Sequence, residues 1–186
     1  VVTKCPTLLK PIDCTFTERR LDLYPHQRLL FSEVKYEDPV PIFRRNAEAT
    51  KIDTNAVVIA LSGISHPEEF FAYVERGFSR VVTLPYADHH HYSRRNVTTW
   101  ENILTDYLAR GVEVVFLCTD KDAVKIYELE SYMSSELRER FLRLPIQVRF
   151  KSHGEEDLRK LVLGHIAQFT RAQAQKEEHK EEEEKE

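Results

Sequence analysis

The segment LPYADHHHYS, Leu84 to Ser93, sets an acid, three consecutive histidines and a tyrosine side by side. Imidazole titrates near neutrality, so one such ring can relay a proton or hold positive charge beside a carboxylate. A phosphate contact is a second use. A zinc site built on Asp88 with two of the histidines is a third. Against zinc, neighbouring side chains on extended backbone point to opposite faces, and no matching His/Cys pattern stands elsewhere. An exposed loop in which Asp88 caps a turn fits the same residues.

A second polar cluster is Thr119, Asp120, Lys121 and Asp122. A lysine offers a mobile cation to phosphate oxygens. A carboxylate there can hold that lysine, bind a ribose hydroxyl or cap the next helix. The third cluster, Ser62-Gly63, offers a hydroxyl and backbone N–H groups, or a turn that is glycine for steric reasons alone. Ser62 lacks the flanking glycines of a nucleophile elbow. Neither GxxxxGK[ST] nor GxGxxG occurs among only five glycines, so this chain contains no recognisable triphosphate cradle.

These clusters need strands to position them. AVVIAL (56–61), SRVVTLPY (79–86) and VEVVFLCT (112–119) read as three strands, the first as one buried on both faces. Between them, a helix begins near Pro67 and stops at Gly77. Another carries Trp100, Ile103, Leu104, Tyr107 and Leu108, with Asn96 or Thr98 as its cap. DKDAVKIYELE begins a further helix or turn, Glu136 to Leu144 is amphipathic, and PIQVRF (145–150) is a last strand. Glu155 to Thr170 is a helix with Leu158, Leu161, Val162 and Ile166 on one face. Residues 1–50 are weakly periodic. A short helix within FTERRLDLYPHQRLLF, broken near Pro25, and a strand from Leu29 to Tyr36 are expected there.

This alternation predicts an α/β fold with an open, mostly parallel sheet and flanking helices. Each polar cluster follows a strand. In such sheets functional groups gather beyond strand C-termini, so one shared cleft is the expectation. The expected divisions are 1–50 as the end of one core with a linking segment, 51–171 as an α/β domain, and 172–186 as a charged tail, either helical or disordered. VVTKCP reads as the tail of a strand. That predicts either a fragment of a longer chain or a boundary inside a fold, against the alternative of a trimmed flexible leader.

The formal net charge of -4 is unevenly placed: Glu177 to Glu186 holds seven Glu and two Lys, a net of -5, which leaves the body at +1. No dense basic, aromatic-interleaved patch marks a nucleic-acid binder. Three cysteines without ligand-like spacing argue against a disulfide scaffold and for a reducing compartment. No apolar run approaches the ~18 residues of a membrane span, and no signal peptide is visible.

ALSGISHPEEFF, LPYADHHHYS and CTDKDAVK, in that order, with VVTKCP and YEDPVPIF ahead of them, resemble the carboxy-terminal part of the tetraacyldisaccharide 4'-kinases over roughly residues 1–170. The resemblance implies a P-loop NTPase-like fold whose amino-terminal kinase half, with the phosphate loop and an aspartate base, lies outside this chain. It implies transfer of a phosphoryl group from ATP, with Mg, to the 4'-hydroxyl of a tetraacyldisaccharide 1-phosphate in lipid A biosynthesis, at the cytoplasmic face of the inner membrane. It marks His89 and Asp88 as catalytic, with His89 partnering the absent aspartate. Lys121, Thr119 and Asp122 fall near the nucleotide or interdomain cleft. His90, Tyr92, Ser62 and Gly63 support the substrate or the loop. Asp120 stands where the family usually has Glu, and Cys118 where Thr is common. No resident metal ligand is implied. The competing expectations are a non-catalytic nucleotide-binding or adaptor module and a small phosphatase or hydrolase.

Overall fold

A computed structural model of the chain describes residues 1–44 and 47–183. The five-stranded sheet at its centre is built on β3 (Val57–Ser62), β4 (Val81–Pro85) and β5 (Val114–Thr119), joined by β6 (Phe141–Leu144) and the two-residue β2 (Val40–Pro41). The order is β2-β6-β5-β3-β4. β6, β5, β3 and β4 run parallel, and β2 pairs antiparallel on the edge at Val40↔Arg143. The protein is therefore α/β with a mixed, mostly parallel sheet. The three strands expected at its centre are present with shifted ends: β3 loses Ala56 and gains Ser62, while β4 and β5 start two residues later than expected.

β3 is buried along its whole length, as an unbroken β-branched and aliphatic run requires. Its alternate side chains feed two cores. Val57, Ile59 and Leu61 join Phe116, Trp100, Leu104, Leu137 and Phe141 on one face. Val58 and Ala60 join Phe70, Val74, Leu117 and Leu142 on the other. Helix α2 (Glu68–Gly77) covers the second face through Phe70 and Val74. Helices α3 (Arg94–Ala109), α4 (Asp120–Tyr127) and α5 (Ser135–Glu139) cover the first. Trp100 is fully enclosed. Its ring meets Phe141 edge-on at 5.1 Å, and its Nε1–H donates to the Tyr86 hydroxyl at 3.0 Å.

Several local expectations are corrected. The cap of α3 is Ser93, not Asn96 or Thr98: Asn96 is the third helical residue, and its Oδ1 accepts the Ser93 N–H at 2.8 Å in a capping-box geometry. The segment read as one amphipathic stretch, Glu136 to Leu144, is a short helix followed by β6. The 3.6-residue period gives way to FLRL, whose Phe141, Leu142 and Leu144 are buried in the sheet. The last strand, β7 (Ile146–Phe150), leaves this sheet and pairs with β1 (Ser32–Tyr36) in a separate two-stranded ribbon. The first helix, α1 (Pro11–Leu21), begins at Pro11 in place of the later FTERRL start and ends before Pro25. Proline is well tolerated in a first turn, where the missing N–H has no partner to lose.

Two compact units result, Val1–Lys35 with Gln147–Glu186, and Tyr36–Ile146. The carboxy-terminal helix α6 (Gly154–Glu183) thus groups with the first 35 residues, whereas divisions at 50 and 171 follow the linear sequence. The helix continues through most of the charged tail. Residues 184–186 lie outside the described residues.

Replacing Trp100 with Ala removes the largest enclosed side chain and leaves the Tyr86 hydroxyl without its donor. We expect a loss of about 3–5 kcal/mol of unfolding free energy, read as a lower urea midpoint.

Candidate functional site at the carboxy-terminal rim

From β3 the chain passes through α2 to β4 on one side, then through α3 to β5 on the other. The winding therefore reverses between β3 and β5, and open α/β sheets carry their clefts beyond the strand ends at such a reversal. Ser62-Gly63 ends β3, and Thr119 ends β5.

Asp122 joins them. It lies in the first turn of α4 and is fully enclosed. Its Oδ2 accepts the Thr119 hydroxyl at 2.7 Å and the Ser62 hydroxyl at 3.2 Å. The Gly63 N–H is shared between both oxygens at 3.2 Å, and the Tyr92 hydroxyl donates to Oδ1 at 3.1 Å. The Asp122 N–H in turn donates to Thr119 Oγ1 at 3.2 Å, which caps α4. A carboxylate offers about four acceptor positions, and here four protein donors take them. The resemblance placed Asp122 near the nucleotide or interdomain cleft; here its side chain is enclosed and its acceptors are filled by protein donors. Its burial is tolerable because its polar atoms are satisfied.

Gly63 is sterically confined as well. A Cβ there would lie 3.0 Å from the His90 Cβ and 3.2 Å from the Tyr92 hydroxyl. The ring of His90 packs between Tyr86, centroids 4.6 Å apart, and Tyr92, at 4.9 Å and edge-on. Its Nε2 is buried with no hydrogen-bond partner among the described residues. Its carbonyl accepts Lys125 Nζ at 3.0 Å. His90 and Tyr92 thus pack inward and hold the loop down.

Asp88 and His89 face the other way. The Asp88 side chain is 42% exposed and that of His89 75%. Asp88 Oδ1 accepts the His89 N–H at 2.9 Å, while Oδ2 lies 3.7 Å from His89 Nε2. That separation suits an ion pair when the imidazole is protonated, not a direct hydrogen bond. His89 adopts φ +56°, left-handed backbone in which histidine is enriched. This turn alternates the three rings: His89 outward, His90 inward, His91 outward and exposed. They do not converge, and among the described residues no group of three His, Cys, Asp or Glu is placed to hold a metal.

Lys121 is exposed on the first turn of α4. Beside it, Asp120 pairs with Arg143 at 2.5 Å across the ends of β5 and β6. The structure thus brings Ser62, Gly63, Tyr92, Thr119 and Asp122 into one knot, and it leaves Asp88, His89 and Lys121 open to solvent. Lys125 and Tyr86 escaped the sequence reading. The i, i+4 spacing of Lys121 and Lys125 was the available signal for the first, and the paired tyrosines flanking DHHH for the second. The Gly63 and Asp122 N–H groups, which end β3 and open α4, are both spent inside the knot.

A sequence profile of the tetraacyldisaccharide-1-P 4'-kinase family matches residues 15–167. The chain belongs to that family. It is 30% identical over 167 residues to the tetraacyldisaccharide 4'-kinase of Porphyromonas gingivalis strain ATCC 33277, covering 89% of this chain and 46% of the relative. It is 27% identical over 180 residues to that of Bacteroides thetaiotaomicron, covering 92% and 47%. The chain spans about half the length of these relatives. The crystal structure of an "apo" form LpxK from Aquifex aeolicus in complex with ATP aligns at TM-score 0.46 and 20% identity, over 76% of this chain and 37% of that one.

Two outcomes test the knot. Asp122→Ala leaves four donors without an acceptor, and we expect a loss of about 3 kcal/mol or more, with displaced His89 and His90 imidazole NMR resonances. A core truncation of equal cost, such as Leu137→Ala, should leave those resonances in place. Burial, reinforced by the charge of Asp122 and the hydrogen bond to it, holds the Tyr92 phenol well above the usual tyrosine range. The unfolded phenol ionises near ~10, while the folded one keeps its proton. This contribution is therefore complete below that pH and is lost as pH rises beyond it. Urea midpoints between pH 8 and 11.5 should fall above about 10, and Tyr92→Phe should flatten that fall.

Proposed function

We propose that this chain is the carboxy-terminal part of a kinase that transfers a phosphoryl group from ATP to the 4'-hydroxyl of a tetraacyldisaccharide 1-phosphate in lipid A biosynthesis. The observation that carries this reading is the exposed Asp88–His89 pair on a loop tied down by Asp122, in a chain of this family. Phosphoryl transfer is chiefly a matter of positioning and charge stabilisation. The acceptor hydroxyl must still lose its proton. In our reading an aspartate from outside this chain takes it, and the His89 imidazole hydrogen-bonds to that aspartate. Asp88, with Oδ2 3.7 Å from His89 Nε2 and Oδ1 accepting the His89 N–H, stands beside that ring. The inward pair His90 and Tyr92 supports the loop, and Ser62, Gly63, Thr119 and Asp122 form the tie that anchors it. Lys121, exposed on the first turn of α4, is available to meet phosphate oxygens.

In this reading the triphosphate and its magnesium belong to residues outside this chain, since the Gly63 and Asp122 N–H groups at the rim are already engaged. The parent works on the cytoplasmic face of the inner membrane as a peripheral protein. No helix among the described residues is long and apolar enough to cross a membrane.

This chain alone should show no measurable ATP-dependent phosphate transfer to the lipid disaccharide, and robust turnover would overturn the division of labour. In a family-length enzyme containing it, His89→Ala should lower kcat by about 10²–10⁴ with little change in nucleotide affinity. Parallel losses in both would show that His89 serves binding or folding. Lys121→Ala should act in the reverse sense, weakening nucleotide binding more than kcat.

A further inference from the structure

Two side chains of α4, three residues apart and so on one side of the helix, grip the loop after β4. Asp122 Oδ1 accepts the Tyr92 hydroxyl at 3.1 Å, and Lys125 Nζ donates to the His90 carbonyl at 3.0 Å. The first grip belongs to the knot described above. The second stands apart from it. Lys125 is half-buried, and its ammonium takes part in none of the ion pairs among the described residues. Asp122, one turn away, is already filled by other donors. Drawing an ammonium partly out of water without a counter-charge is costly, so the neutral carbonyl it meets calls for a reason.

That carbonyl sits at a sensitive point of the loop. The His90 N–H donates to Ala87 O at 3.0 Å, which closes a four-residue turn from Ala87 to His90. His89 is the third residue of the turn, at φ +56°. Left-handed backbone costs an L-residue steric energy, and glycine is the usual choice at such a position. Here an imidazole occupies it, so the turn must be held from outside. Before the turn, the Tyr86 N–H meets Ser62 O at 2.8 Å. After it, Lys125 pins the His90 carbonyl. His90 is thus engaged through both of its backbone groups, and a rotation of His89 back to right-handed backbone would pull on both. A charged donor makes this a stronger hold than a neutral one.

We propose that Lys125 is a positioning residue. Its charged hydrogen bond to the His90 carbonyl keeps His89 in the left-handed turn that aims the imidazole out of the rim. The consequence for turnover rests on the kinase reading above, in which Lys125 acts on the reaction only through His89. Lys121, one turn earlier on α4 and exposed, has no such tie. The two lysines of TDKDAVK therefore have different work: one is open to an anion, and the other is spent on the loop.

Lys125→Met keeps the apolar stem and removes the donor. In this chain it should shift the His89 imidazole NMR resonances and speed exchange of the His90 amide at least ~10-fold. Lys125→Arg should restore both. Val124→Ala, at an exposed position of the same helix, should change neither. In a family-length enzyme containing this chain, Lys125→Met should lower kcat by about 10- to 100-fold with KM for ATP unchanged. Added to His89→Ala, it should cost nothing further, because the group it positions is gone. The role is disproved if the His89 resonances and the His90 exchange stay in place, if KM for ATP rises instead of kcat falling, or if the two substitutions multiply. Failure of the kinase reading looks different. If the loop responds in this chain while the longer enzyme transfers no phosphoryl group, the positioning role stands and the kinase reading falls. If His89→Ala abolishes transfer while Lys125→Met neither moves the loop nor slows the enzyme, the reverse holds.

Discussion

One buried carboxylate holds the rim together. Asp122 accepts donors from the end of β3, the end of β5 and the loop after β4, so three segments far apart in sequence share one acceptor. In an enclosed setting each of those donors costs heavily if unpaired, and the arrangement is therefore all or nothing. It explains why Gly63 has no room for a side chain and why Tyr92 keeps its proton. It also explains how a loop with three histidines can present only some of them to solvent.

The left-handed backbone at His89 completes that division. Residues on either side of it are held, His90 by two aromatic rings and the Lys125 contact, Asp88 by its hydrogen bond to the His89 N–H. The imidazole left outside is thus carried on a rigid base. A rigid base is what an otherwise exposed side chain needs if it is to meet a group from another part of a protein.

The two units differ in how much of their own stabilisation they contain. Residues Tyr36–Ile146 carry both hydrophobic clusters and the whole five-stranded sheet. The other unit has regular helices and paired backbone but leaves its apolar stripes open. Backbone hydrogen bonds and helix propensity shape such a unit, yet burial of apolar surface does more to hold one together.

The strands β3, β4 and β5, the helices between them, and the polar clusters at the strand ends were legible in the sequence. Period and residue type suffice where burial is uniform along an element. Ser62, Gly63, Tyr92, Thr119 and Asp122 gather at one rim, while Asp88, His89 and Lys121 stay exposed. The ordered motifs pointed to the family whose profile matches residues 15–167. What sequence could not supply was orientation. Nothing in DHHH distinguishes the ring that packs inward from the one that faces out, because that depends on a positive φ at His89 and on Tyr86 and Tyr92 closing over His90. Nor does TDKD reveal that its second aspartate is enclosed, since the donors that enclose it come from sixty and thirty residues earlier. β6 and the departure of β7 from the main sheet were decided by long-range pairing in the same way. Local chemistry set which residues form helices and strands. Contacts between distant segments decided which polar groups are spent inside the protein and which remain available to a partner.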